Sequence, residues 1–412
     1  MEILYAICCG LDVHKDTLTA CLRRREADGP VTKALRTFGT TTAELLRLLD
    51  WLGAAACTHV AMESTGVYWK PVFNILEGHV AELLVVNAQH IKALPGRKKD
   101  TLDAEWIAQL LQHGLLRGSF IPPAPVRALR ECTRYRKQLI RARADEANRI
   151  QKLLEAANLK LGSVASDILG VSGRAMLAAL VRGEMEATAL AGLAQGRLRQ
   201  KRPQLVAALT GQITPVQRQL LGVQLAHVEF LDRTIATLDA QIATLLAPYQ
   251  AEAARLRSIT GIDQRIAEVV LAELGADMTV FPSDRHCASW AGLCPGHDES
   301  AGKRRSGKTR KGSQWLRAAL IEAAWATSHT KGYLGAQYRR LARRRGRKKA
   351  LVAVAHSILV IAYHTLKDGT TYRDLGHDYF DQRDTARLQR RLIARLEALG
   401  LRVTVEPLAQ AA

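Results

Sequence analysis

The sequence predicts an α/β head, followed by a helical coiled-coil arm and a mainly helical C-terminal region. Three observations carry this expectation. Up to residue 113, short apolar runs of strand character alternate with amphipathic helical stretches. The segment IPPAPVR at 121–127 then brings three prolines, which a helix interior does not accept. Beyond it, apolar residues recur every three or four positions through two long stretches.

Taken in order, residues 3–11 read as a buried strand followed by Asp12, 17–22 as a second strand and 31–38 as a third, edge-like one. Their short connections make a meander. Residues 41–53 form a helix that Thr40 or Thr41 would cap, and 57–62 form a strand that delivers Glu63. A helix over 68–78 and a strand over 80–86 follow. The next helix, 100–113, has Trp106, Ile107, Leu110 and Leu111 on its apolar side. Strands separated by helices should lie parallel.

After the prolines, 126–160 reads as one long basic helix and 215–246 as another. An irregular helical insert over roughly 161–210 would join them into an antiparallel arm. Residues 255–275 pattern as helix, Thr-Gly-Ile turn and helix. That is either a helix-hairpin-helix offering backbone N–H groups to a phosphate or an ordinary helical corner. Helices are expected over 312–329 and 350–366, and a final helix before a frayed end within the weakly patterned 367–412. The expected domains are 1–120, 121–250, 251–375 and a tail at 376–412.

The 412 residues carry a net charge of +20, which points to a polyanionic partner. The charge is unevenly placed. Residues 1–120 hold 13 acidic and 13 basic side chains, so the whole excess lies beyond them. The pattern suggests a carboxylate-bearing head joined to a basic grip. The size excludes a small disulfide scaffold, and an odd count of 7 scattered cysteines argues against full internal pairing. The N-terminal apolar run has no basic region before it and ends at Asp12 and His14, unlike a secretory signal. No uncharged stretch reaches the roughly 20 residues that cross a bilayer, so a reduced cytoplasm and no membrane partner are expected.

Four acids stand out. Asp12 and Glu63 lie at strand ends, and Asp100 and Asp103 are three apart at a helix start. Clustered carboxylates raise one another's pKa values unless cations neutralise them, and oxygen ligands of this kind suit Mg²⁺ or Mn²⁺. Two such ions can activate a hydroxyl and stabilise a phosphate leaving oxygen. The same acids also read as unrelated surface charges, with Asp100 and Asp103 favouring a helix N-terminus. Asp16 with Glu44 is a weaker pair. His14 and His59 are near by sequence and read as structural or as phosphate contacts.

Two basic runs follow. Residues 303–311 hold six cations and no acid within a Gly-rich stretch, read as a loop beside Ser300, with Ser306 and Ser313 as further serines. A serine needs activation to act as a nucleophile, and neighbouring cations stabilise an attacked phosphate. Residues 339–349 carry eight cations among eleven, a density that favours nucleic-acid contact.

In three segments, GLDVHKDTLTACL (10–22), VAMESTGVYWKPV (60–72) and RKKDTLDAEWIAQLL (97–111), the chain resembles the RuvC-like, or DEDD, domain of the IS110 family of transposases, IS1111 group included. SITGI (258–262), FPSDRHCASWAGLCPG (281–296) and KGSQWLRAAL (311–320) resemble that family's second domain. The resemblance implies a RuvC/ribonuclease H-like mixed sheet, Mg²⁺ held by Asp12, Glu63, Asp100 and Asp103, and a nucleophilic Ser300. Ser300-Ala301-Gly302 departs from the Ser-Gly usual after that serine's position, which leaves Ser306 as the fallback. It further implies a recombinase guided by a structured RNA that pairs with donor and target double-stranded DNA, working as a homo-oligomer in which dimers assemble to a tetramer. The basic arm and both basic runs would hold nucleic-acid backbones. Two other classes are a junction-resolvase-like nuclease using the acids alone, and a non-catalytic nucleic-acid scaffold.

Overall fold

The computed structural model describes residues 2–26, 29–63, 66–87, 103–296, 298–300 and 302–406. The chain divides into two compact units, Met1–Ile121 and Pro122–Ala412.

The first unit is built on a five-stranded mixed sheet. Its strands are β1 (Ile7–Val13), β2 (Thr17–Arg25), β3 (Val31–Gly39), β4 (His59–Glu63) and β5 (Glu82–Val86), in the order β3-β2-β1-β4-β5. The first three form the expected antiparallel meander, and β4 and β5 add in parallel. Helices α1 (Thr42–Ala54), α2 (Trp69–Leu76) and α3 (Asp103–Gln112) cover it. β1 starts later than residue 3 because Leu4 and Tyr5 give their N–H groups to Gln112 O at the end of α3. It also runs through Asp12. Thr41 occupies the N-cap position of α1 without a side-chain cap bond, while Thr40 Oγ1 donates to Lys15 O instead.

Alternation along β1 separates two layers. Cys9, Leu11 and Val13 pack with Leu45, Leu48 and Leu52 of α1 and Val72, Phe73 and Leu76 of α2. Cys8, with Ala61 of β4, packs on Trp106, Ile107, Leu110 and Leu111 of α3. Gly10 lies on this second face, where an added Cβ would stand 2.4 Å from both Ala104 O and Ala108 N. Glycine there lets α3 rest directly on β1.

The second unit opens with α4 (Ala124–Ala156), whose Pro125 sits in the first turn, where a missing N–H costs nothing. Short helices α5 (Leu161–Val164), α6 (Val171–Arg182), α7 (Ala187–Gly192) and α8 (Arg202–Leu209) form the insert. The second long helix, α9 (Pro215–Leu246), begins with a capping box between Thr214 and Gln217. Arg136 pairs with Asp239, Arg143 with Asp232 and Glu146 with His227. Partner numbers rise along α4 as they fall along α9, so the two helices are antiparallel. Leu139, Leu231 and Ile235 fill the seam, and the insert packs its own core on Ile150, Leu154, Leu221 and Val228.

The C-terminal part holds α10 (Gln250–Arg257), α11 (Gln264–Leu274), α12 (Asp284–Trp290), a hairpin of β6 (Asp298–Ser300) and β7 (Lys303–Ser306), and α13 (Gln314–Ser328). It continues through α14 (Tyr333–Arg345), α15 (Arg347–Lys367), α16 (Tyr379–Gln382) and α17 (Thr385–Glu397). The turn between α10 and α11 has Gly261 at φ +92°, and a Cβ there would lie 2.6 Å from Ala323 O of α13. Close packing on α13 therefore requires this glycine, whichever of the two sequence readings of the turn applies. Two further readings change. Residues 303–306 are a strand rather than loop, and the basic run 339–349 is helical on both sides of Gly346. By length and composition α15 is apolar enough to cross a membrane, although its uncharged run stops short of roughly 20 residues, and half of that window is buried, as in the core helix of a folded domain. Val354, Ile358, Leu359 and Tyr363 are among its buried residues, and the Tyr363 hydroxyl donates to Phe281 O.

Candidate functional site

β1 and β4 are parallel neighbours, with Leu11 opposite Met62, so Asp12 and Glu63 follow one step later on adjacent strands. Both have the parity of Cys8 and Ala61, which face α3. Asp103 is the first residue of α3. The sheet register and the Gly10 contact thus bring three acids to one edge of the layer. Asp100 lies outside the described residues.

The acids sense one another. Burial pushes the Asp12 carboxyl above its usual range, His14 opposes that shift, and the charges of Asp103 and Glu63 add to it. His14 Nε2 stands 3.2 Å from Asp12 Oδ2. Among the described residues no three His, Cys, Asp or Glu side chains close into a ready ligand cluster. The donor set nevertheless fits a hard divalent cation. It consists of carboxylate oxygens only, and at Asp12 burial together with the neighbouring negative charges favours a cation close by. His59 lies at the opposite end of β4, stacked on Tyr5 and 3.7 Å from Glu82, which is a structural position. Glu44 pairs with Arg47, so the alternative acid pair with Asp16 gains no support.

Ser300 ends β6 and pairs through its backbone with Lys303 across the hairpin. The side chains of Ser300 and Ser306 lie outside what is described. Ser313 is committed elsewhere: its hydroxyl caps α13 by accepting from Leu316 N and donates to Glu273 Oε2 at 2.9 Å. Near the hairpin, Lys308, Arg310 and Lys311 are exposed.

The other basic run is open. Arg343, Arg344 and Arg345 close α14, Arg347, Lys348 and Lys349 open α15, and all six are exposed. None of the six has a carboxylate partner among the described residues.

Sequence reasoning missed a buried charge cluster. Glu273 is 0% exposed and receives Arg134 Nε at 2.7 Å and Arg134 Nη2 at 2.8 Å. Arg130 donates to the carbonyls of Ala272 and Glu273, and burial lowers its pKa to about 10 against the pull of Glu273. Glu268 stands 2.7 Å from Arg136, which is 4% exposed. The available signal was an acid recurring within the apolar helix AEVVLAEL.

Residues 9–159 match the model of the DEDD-type IS110 transposases, described as "Transposase". Residues 253–339 match "Transposase IS116/IS110/IS902 family". The chain is 33% identical over 138 residues to the "Insertion element IS110 uncharacterized 43.6 kDa protein" of Streptomyces coelicolor, covering 33% of each chain. It is 26% identical over 328 residues to the "Putative transposase y4pF/y4sB" of Sinorhizobium fredii, covering 77% of this chain and 74% of that one. The first of these alignments thus spans only a third of its relative's length.

Proposed function

The chain belongs to the IS110 family of transposases, and from that premise we propose that it is a site-specific DNA recombinase guided by a structured RNA. The convergence of Asp12 and Glu63, at the ends of β1 and β4, with Asp103 at the start of α3 carries the recombinase part of the proposal, and guidance by RNA follows from likeness to the family. With Asp100, these carboxylates would hold divalent cations. Bound there, Mg²⁺ or Mn²⁺ supplies charge that polarises a phosphate and stabilises a leaving oxygen.

Ser300 is the proposed nucleophile. Its hydroxyl loses a proton to solvent as its oxygen bonds to a DNA phosphorus, and the bond from phosphorus to the outgoing DNA oxygen breaks, that oxygen taking up a proton to leave as a free hydroxyl. The strand is then held as a serine phosphodiester. Attack by a hydroxyl of the exchanging strand reverses the step and frees the serine. One phosphoester is made for each one broken, so no nucleotide triphosphate is consumed. The exposed Lys308, Arg310 and Lys311, which follow the hairpin in sequence, would stabilise the charge on the attacked phosphate. The cations of the α14–α15 joint would hold backbones, while base pairing with the RNA would select sequence. The acid site and the serine site lie in different units of the chain, and we assign their meeting to an oligomer on DNA.

RNA recovery tests the guidance. The protein is expressed with its own flanking DNA, washed at high salt, and its retained RNA is sequenced. One structured species from the flank is expected. Random cellular RNA, with both flanks transcribed, would overturn guidance and leave metal-dependent strand cleavage to be assayed by itself.

A further inference from the structure

We infer that Glu273 is a positioning residue for the hairpin that carries Ser300, an inference that rests on the reading of Ser300 as nucleophile. The hairpin is fastened at its base. Gly292 and Gly312 meet backbone to backbone, for a Cβ on Gly312 would lie 2.3 Å from Gly292 N. Pro295 bridges to Thr309, Gly296 N–H donates to Lys308 O, and Arg317 Nη1 donates to Thr309 Oγ1.

The first three contacts join the two limbs to each other, and Arg317 ties the returning limb to α13. The link from this base to the body of the fold runs through Ser313. Ser313 closes the returning limb, opens α13, and donates a hydrogen bond from its hydroxyl to the Glu273 carboxylate. That carboxylate is itself held by two parallel bonds from Arg134. Arg134 and Arg141 in turn lie 5.8 and 5.6 Å from the centre of the Trp315 ring, two residues into α13. The buried carboxylate thus accepts three directed donors and has one orientation to satisfy them. A buried ion pair of this kind stabilises a fold no better than well-packed apolar side chains. It does fix direction, because hydrogen bonds constrain angle where apolar packing does not. Small misplacements at a reacting centre cost rate far more than binding.

The test compares wild type with Ser313→Ala, Ser313→Thr, Glu273→Gln and Ser300→Ala as full-length proteins. The probe is a plasmid carrying the coding region with its native flanks, transcribed in the same reaction. Three quantities are measured: the strand-cleavage rate constant at saturating DNA, the DNA Kd, and amide exchange at Gly296. Ser313→Ala is expected to cut the rate constant about tenfold with Kd unchanged within about twofold. It should quicken exchange at Gly296 and leave the α4–α9 seam protected, and Ser313→Thr should restore both. Glu273→Gln should follow Ser313→Ala; if it does not fold, the serine pair still decides. Unchanged rate, or loss of rate, affinity and seam protection together, would overturn the inference. A Ser300→Ala protein as active as wild type would instead overturn the nucleophile reading, while exchange at Gly296 would still report whether the carboxylate holds the hairpin.

Discussion

Helix α4 carries nine lysines and arginines over its 33 residues, and the run 339–349 carries eight in eleven. Along α4, Arg130 and Arg134 turn to Glu273, Arg136 to Asp239 and Glu268, Lys137 to Glu322, and Arg143 to Asp232. At the α14–α15 joint, Arg343 to Arg345 and Arg347 to Lys349 remain exposed and without a carboxylate partner among the described residues. A basic run thus stays available for the proposed nucleic-acid grip only where the fold brings no acids to it. Most of the charge along α4 holds α9, α11 and α13 in place, which narrows the expected grip to the joint and the hairpin.

The largest effect expected from this contrast is on stability. Arg136→Ala leaves Glu268 buried without its cation and should cost about 3–5 kcal/mol in denaturant unfolding. A loss below about 1 kcal/mol, the range of an exposed pair, would break the contrast. Next comes Arg343→Gln, Arg344→Gln and Arg345→Gln in one protein. Its melting temperature should match wild type, its nucleic-acid affinity should fall, and the slope of log affinity against log salt should shrink by about 2–3. An unchanged slope would move the grip elsewhere.

The smallest effect concerns pH. Burial pushes the Asp232 carboxyl up, but hydrogen bonds and charge from Arg143 and Arg174 outweigh it and hold it below its usual range. A lowered carboxylate pKa stabilises the fold at neutral pH, and that contribution is lost as pH falls through the lowered value. Melting followed from neutrality to about pH 3 should show wild type losing stability that Asp232→Asn never had. Parallel curves would show that the pairs of Asp232 with Arg143 and Arg174 contribute nothing.

How much of this was legible depended on range along the chain. The mixed sheet followed from local alternation, and Asp12 and Glu63 from their places after apolar runs. The meeting of these acids with Asp103 rests on Gly10, whose role appears only once α3 lies across β1. Glu273 was hidden because its partner Arg134 stands 139 residues away. The helical course of 339–349 was hidden because its cations leave little apolar periodicity to read. The start of β1 was misplaced because Leu4 and Tyr5 are apolar yet bond to the end of α3.

The most direct measurement is a denaturing-gel search for a covalent protein–DNA adduct, with the attached peptide sequenced. Wild type with Mg²⁺ and DNA bearing its native flanks should give an adduct mapped to Ser300. Ser300→Ala should give none, and Asp12→Asn should give strongly reduced amounts. Cleaved strands with free ends and no adduct, or an adduct mapped to Ser306 or another side chain, would contradict the assignment of Ser300.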